Sequence, residues 1–405
     1  MHQQSASGEP ASGGQIDPLA GRRPTWVEID LDRLAGNYQG VRDHLRPGVR
    51  VMAVVKANAY GHGANRVASA LAEQGAAAFG VAITEEGAAL RQAGISGTIL
   101  VFGGCFPGQE DTFLEFDLTP TVYDLASVRR LSAAAIARNR PIGYHLKLDT
   151  GMGRHGIGPD DVSGFVEEAV GYQGARLEGV FSHLSSADEE DLTYTRLQIS
   201  KFVEAVDAIE AAGHPHIVRH VANSAGTLLH KGSSFDMVRA GLSLYGIDPS
   251  PRGGPVELLP VLSLKTRIAF VKSVPEGTAL GYNRTFRTSR QSLIATLPIG
   301  YADGLARLSS NRGHVLVRGA RAPIVGAVSM DTTLVDVTAV PGVTPGDEVV
   351  LIGVQGGVSV GAREVGRWAQ TIPYEVVCRI SQRVPRLYLS QGLPEPPRRL
   401  GEASG

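Results

Sequence analysis

The chain has 405 residues, 43% hydrophobic and 20% charged, with 39 basic against 40 acidic side chains and a formal net charge of -1. That apolar content supports an extensive core, and the length favours two domains over one. The charge balance gives no basic field for nucleic acid or an anionic membrane surface, and Cys105 and Cys378 are too few for a disulfide framework or a thiolate metal cluster. A small-molecule ligand, no metal and a reducing compartment are the expectations.

Residues 1–21 are rich in Ser, Gly, Pro and Gln and lack the apolar core of a secretory signal, so they read as a disordered tail; 396–405 read as another. No run approaches the roughly 18 apolar residues that span a bilayer, which predicts a soluble, cytoplasmic protein. Next come β-branched runs at 51–55, 79–83, 98–102, 118–122, 142–148, 177–182, 217–222 and 235–238. They alternate with helix-spaced stretches such as 64–74, 125–138, 162–171 and 195–212. Eight strands within about 200 residues predict an α/β fold, a (β/α)8 TIM-type barrel over 22–259, rather than an open doubly wound sheet. Beyond residue 260 the texture changes to β-like stretches at 264–271, 293–297, 314–318, 322–328, 333–337 and 348–353, separated by Gly and Pro. A mainly β C-terminal domain over 260–395 is predicted.

In such barrels functional side chains gather where strands end and βα loops begin. The first strand runs into Lys56, then Ala57-Asn58-Ala59-Tyr60-Gly61-His62-Gly63. Lysine is scarce here, six residues against 33 arginines, and one at a strand end is either a solvated cap or a functional amine. The fifth strand adds Lys147 and Asp149. Two charged, desolvated lysines at one barrel mouth would repel, so one must be modified, paired or neutral. The sixth strand ends in Ser182-His183, the seventh in His220-Val221-Ala222-Asn223-Ser224 and the eighth in Arg239-Ala240-Gly241-Leu242. A single histidine is more often a structural hydrogen-bonder than a catalyst, but convergence of four polar strand ends points to a site. Ser224 and Gly241 suit the phosphate niche after the last two strands. Amine, phosphate niche and phenols together suggest pyridoxal 5'-phosphate held as a Schiff base, without naming the reaction.

From Arg23 to about Tyr388 the sequence resembles the alanine racemase family. The resemblance is carried by Val51 to Gly63, by Leu146-Lys147-Leu148-Asp149-Thr150-Gly151-Met152-Gly153-Arg154 and by Pro298-Ile299-Gly300-Tyr301-Ala302-Asp303-Gly304. Ser329-Met330-Asp331 and Tyr374-Glu375-Val376-Val377-Cys378-Arg379-Ile380-Ser381 agree with it. It implies a pyridoxal-phosphate isomerase interconverting L- and D-alanine and supplying D-alanine for peptidoglycan. It makes Lys56 the Schiff-base lysine and one of two catalytic bases. Tyr60, Asn223, Ser224, Tyr374 and the backbone at Gly241 and Leu242 would bind the cofactor, and Arg239 would face the pyridine nitrogen. Because guanidinium keeps its proton, that nitrogen would stay unprotonated. The second base would be Tyr282, contributed by the other subunit of a homodimer and supported by His183 and Arg239; the residues alone read Tyr282 as a surface-loop aromatic. Arg154 and the backbone at Met330 would take the substrate carboxylate, Tyr301 would narrow the entrance, and Lys147 would be an N6-carboxylysine or else paired with Asp149. Asn283 stands where Gly commonly follows the tyrosine, Ser329 where many members have Cys, and Gln382 departs from an otherwise matching motif; none removes a reacting group.

Alternatives are a serine or broad-spectrum amino-acid racemase, which Tyr374 and Tyr301 disfavour by tightening the pocket, and a related decarboxylase, which Arg239 disfavours. A non-catalytic carrier of pyridoxal phosphate, a single barrel, would leave everything beyond about residue 262 unexplained.

Overall fold

The computed structural model describes residues 21–250 and 253–395, so the tails expected at 1–21 and 396–405 lie, Gly21 apart, outside the described residues. The first element, β1 (Thr25–Asp30), leads into the helix Leu31–His44, which Asp30 caps by accepting from Arg33 N at 2.9 Å. Eight parallel strands follow: β2 (Arg50–Val54), β3 (Ala78–Val81), β4 (Thr98–Val101), β5 (Thr119–Val122), β6 (Ile142–Lys147), β7 (Ala175–Phe181), β8 (Val218–His220) and β9 (Met237–Ala240). β2 pairs with both β3 and β9. The gap between β8 and β9 is bridged by Asp236 N to Arg219 O and Arg239 N to Ala222 O, each 3.0 Å, so the barrel is nearly closed. Every strand foreseen in this region is present, displaced at most a few residues.

Helices cover the outside because their apolar spacing requires it. Leu125–Ala137, capped by Asp124, buries Val128, Leu131 and Ala135 against the sheet. Inside, Met52, Ala78, Leu100, Phe181 and Met237 form a packed layer, so the barrel is a filled core.

The second domain is mainly β, with β10 (Leu262–Arg267) as its first strand. The stretch read as one strand over 264–271 is two: the chain breaks at Ile268 and Ala269, then Phe270–Val274 joins a separate sheet with Ser292–Leu297 and Thr333–Asp336. One correction concerns β1. It falls within the span assigned to the barrel, yet it sits in the second domain's sheet, antiparallel to β10 and parallel to Arg386–Ser390. Thr25 Oγ1 and Thr266 Oγ1, 241 residues apart, hydrogen-bond at 2.8 Å. Local alternation marks a strand, but it carries no information about a partner so distant.

Asp303 fixes another long-range joint. Fully buried, it accepts from both terminal nitrogens of Arg23, at 2.8 and 2.5 Å, and from Gly300 N at 3.0 Å, while Arg383 Nε lies 3.1 Å away. Charged groups at both ends of the sequence are therefore tied to the turn that carries Tyr301. Among the described residues no helix is long and apolar enough to cross a membrane, and no group of three His, Cys, Asp or Glu side chains is placed to hold a metal ion.

Candidate active site

Lys56 follows β2 at the C-terminal mouth of the barrel. The next residues make a left-handed turn, with φ of 52° at Ala57, 54° at Asn58, 52° at Ala59 and 53° at Tyr60. For L-residues this conformation costs roughly 1–2 kcal/mol each, and such strain concentrates at functional sites. Side chains offset it here. Ala57 N donates to Glu86 Oε1 at 2.6 Å, Ala64 N donates to Asn58 Oδ1 at 2.9 Å, and Tyr60 O meets His62 Nδ1 at 2.9 Å. The turn leaves Lys56 facing the barrel mouth and sends Tyr60 beneath it. Burial, then Arg154, hold the Lys56 amine below its ordinary range, while Glu86 and Cys378 pull the other way.

Below the lysine lies a cradle suited to an anion. Ser224 Oγ accepts from Gly241 N at 2.9 Å and from Ser243 N at 3.4 Å, so a hydroxyl and two amides converge. The Tyr60 phenol closes the cradle so tightly that a Cβ on Gly241 would come within 2.7 Å of its oxygen. Tyr60 packs on Tyr245 and Tyr374, with ring centroids 5.0 and 6.1 Å apart. Leu242, the residue after Gly241, begins the short helical turn Leu242–Tyr245 against the same cradle. Asn223 contributes indirectly: its side chain caps the helix Ser224–Leu229 by accepting from Gly226 N, and it donates to Leu184 O.

Arg239 occupies the floor of the mouth. Its NH2 donates to Ser182 O at 2.6 Å and Val221 O at 3.0 Å and lies 3.2 Å from His183 Nδ1; its NH1 donates to His220 O at 2.9 Å. Nε makes no hydrogen bond among the described residues and remains the free donor. Burial pulls this guanidinium down to about 9, with Arg154 adding to the effect. His183 lies well below the usual imidazole range, first through burial and then through Arg239, so it is neutral.

Lys147 is 5% exposed, and its amine is lowered to about 7, chiefly by burial and then by Arg239. It does not pair with Asp149. Its Nζ donates to Leu148 O at 2.6 Å, whereas Asp149 Oδ1 accepts from the amides of Gly151, Met152 and Gly153 at 2.9, 2.8 and 3.0 Å and so shapes the loop carrying Arg154. Among the described residues, none of Lys56, Lys147, Arg154 and Arg239 forms an ion pair with a carboxylate. Four basic groups around one mouth, with an amide-lined cradle beside them, call for anionic ligands. A phosphate in the cradle, an aldehyde within reach of a desolvated amine and a ring against Arg239 Nε are what this donor set accommodates; the residues fit pyridoxal phosphate.

Tyr282, Tyr301 and Met330 are not brought to this mouth within one chain. They lie on the second domain, 69%, 40% and 52% exposed. Tyr301 N and Ala302 N donate to Ser329 O and Met330 O, each at 3.0 Å, which fixes the Met330 peptide while leaving its N–H without a partner among the described residues. Asn283 has φ of 58°, so the residue found in place of glycine is one that tolerates the left-handed region.

Two family models cover most of the chain: alanine racemase, N-terminal domain, over residues 29–249, and alanine racemase, C-terminal domain, over 261–388. The chain belongs to the alanine racemase family. The alanine racemase of Halothermothrix orenii is 46% identical over 367 residues, covering 90% of this chain and 97% of that one. A solved alanine racemase from Bacillus anthracis with bound L-Ala-P has a TM-score of 0.87 at 38% identity, covering 92% of this chain and 96% of that chain. One from Bartonella henselae, with covalently bound pyridoxal phosphate, has a TM-score of 0.82 at 29% identity, covering 90% and 99%. Coverage of both domains by racemases leaves no support for the single-barrel carrier. The sequence reading missed three features of the racemase mouth: the left-handed turn, the Glu86 prop and the inward-facing His145. Only His145 left a signal, since it lies two residues before Lys147 and so shares its face of β6.

Proposed function

We propose that this chain interconverts L-alanine and D-alanine with pyridoxal phosphate, in a homodimer whose two sites are each completed by the second subunit. The observation that carries the reading is the desolvated Lys56 amine beside an amide-lined anion cradle, in a mouth whose basic groups have no carboxylate ion-pair partners among the described residues. When bound, pyridoxal phosphate would withdraw electrons from the α-carbon of an attached amino acid and make its proton removable. Lys56 Nζ, held below the ordinary amine range, takes or returns that proton on one face. Tyr282 Oη of the partner subunit serves the opposite face. Because Arg239 is donor-only and lies at His183 Nδ1, the His183 proton sits on Nε2; a donor there favours the phenolate of an approaching tyrosine. Arg154 and the Met330 N–H, both without a partner among the described residues, bind the substrate carboxylate, and Tyr301 and Tyr374 restrict the pocket to a methyl side chain.

In deuterated water the loaded enzyme should introduce deuterium at the α-carbon of both L- and D-alanine, with slower turnover of serine and lysine. Cofactor-loaded protein that exchanges neither enantiomer would remove the reading. The product would supply peptidoglycan, in the cytoplasm, a reducing compartment that the two unpaired cysteines support.

Lys147 is proposed as an N6-carboxylysine. Its neutral amine attacks carbon dioxide, the new C–N bond forms as one C=O bond becomes C–O⁻, and the nitrogen releases a proton. The resulting anion would lie among Arg239 and Arg154 in place of a buried cation. With the amine lowered to about 7, the neutral nucleophile gains population as pH rises through that value, so modification increases from pH 6 to 8 by about tenfold or less. Protein equilibrated with carbon-13 bicarbonate should show a carbamate carbon that is absent from Lys147→Ala.

A further inference from the structure

Behind Arg239 a pair of buried histidines runs away from the site into the barrel. Arg239 NH1 lies 3.0 Å from His220 Nδ1, and His220 Nε2 lies 2.9 Å from His145 Nδ1. Both imidazoles are buried, and His220 stacks on Phe181 with centroids 4.9 Å apart and planes within 4°. On the neighbouring strand His145 stands opposite Gly179, where a Cβ would approach the imidazole to 2.6 Å. Glycine inside a strand weakens it and marks a place where another group comes close. Here it is the second half of the arrangement, making room for the His145 ring.

The hydrogen-bond directions follow from chemistry. Guanidinium has only donors, so His220 Nδ1 must accept. The single proton of a neutral His220 therefore lies on Nε2 and is donated to His145 Nδ1, which leaves His145 in the same tautomer. Burial holds both rings neutral, lowering His145 to about 3 with help from Arg50 and Arg239, and His220 well below its usual range with help from Arg239 and His145. Successive bonds of this kind strengthen one another.

We propose that His145 is a positioning residue for Arg239: by accepting from His220 Nε2 it fixes the tautomer that presents a lone pair to the guanidinium. Without that acceptor the Nε2 proton is left buried and unbonded, so the tautomer that suits the guanidinium loses its advantage over the Nδ1 form, which would meet an N–H of Arg239 donor to donor. Arg239 NH1 then keeps only its bond to His220 O, and the set of the guanidinium, with its contact to His183, shifts. The proposal rests on Arg239 being the residue that faces the cofactor ring, but its first test does not need that reading. Nitrogen-15 spectra of histidine-labelled enzyme should show His145 and His220 as neutral, Nε2-protonated rings from pH 6 to 9. His145→Phe keeps the ring volume and removes the acceptor, whereas His145→Gln keeps an acceptor oxygen. The Phe variant should lose the single His220 tautomer signal, shift the absorbance of the bound cofactor and lower kcat about tenfold with KM for alanine changed less than about twofold. The Gln variant should restore all three to within about threefold. A wild-type His220 that is charged or protonated on Nδ1 overturns the proposal, as does a Phe variant matching Gln in tautomer signal, absorbance and kcat. Should the Phe variant not fold, the wild-type spectra still decide.

Discussion

Lys56→Ala is expected to give a folded, colourless protein that turns over neither enantiomer of alanine, a loss of about 10⁴-fold in kcat. The size follows from two functions meeting at one atom: Nζ is the covalent anchor and one of the two proton-transfer groups. Folding should be spared, because Lys56 is only partly buried and its removal relieves repulsion with Arg154 rather than leaving a buried charge unpaired. Absorbance of the cofactor-treated variant and polarimetric turnover from both enantiomers read the two functions separately. Retained colour together with retained turnover would place the amine elsewhere, and Lys147 is the next candidate.

Tyr282→Phe should keep the colour and lose α-proton exchange of L-alanine by about 10²–10⁴-fold, the range for removing one positioned acid or base. Mixing tests the sharing of sites more sharply. If every site draws Lys56 from one chain and Tyr282 from the other, a hybrid of Lys56→Ala and Tyr282→Phe chains has one doubly defective site and one intact site. With random reassortment half the dimers are hybrids, so two inactive preparations should recover about a quarter of wild-type turnover after dissociation and reassociation. No recovery in a verified hybrid would place both groups in one chain. The 69% exposure of Tyr282 in the single chain motivates the experiment.

The barrel was legible because its signal is local: each strand is a short apolar run and each helix repeats its own spacing. β1 was misplaced because pairing is not local, and the run at 264–271 hid a break because two consecutive strands that change sheets keep the same apolar texture. At the site, residue types at strand ends pointed to an amine, a phosphate niche and phenols, and the structure gathers Lys56, Tyr60, Ser224, Arg239 and Gly241 there. What local reading could not reach was backbone of the wrong hand. Ala57, Asn58, Ala59 and Tyr60 carry no glycine to announce a left-handed turn, and one of the groups that sustain it, Glu86, comes from another βα unit. The Lys147 environment was likewise hidden, since Asp149 looks like its partner in sequence but is occupied by three amides of its own loop.

The placement of β1 sets the order in which the molecule can be finished. The strand precedes the barrel in the sequence, yet both of its neighbours follow it, β10 directly and Arg386–Ser390 only near the end, so it must wait unmated while the entire barrel is made. Severing the polypeptide at the junction near residue 260 would strand that ribbon with the wrong fragment and split the terminal sheet down its middle. The halves are therefore inseparable by scissors placed between them, even though each has an interior of its own.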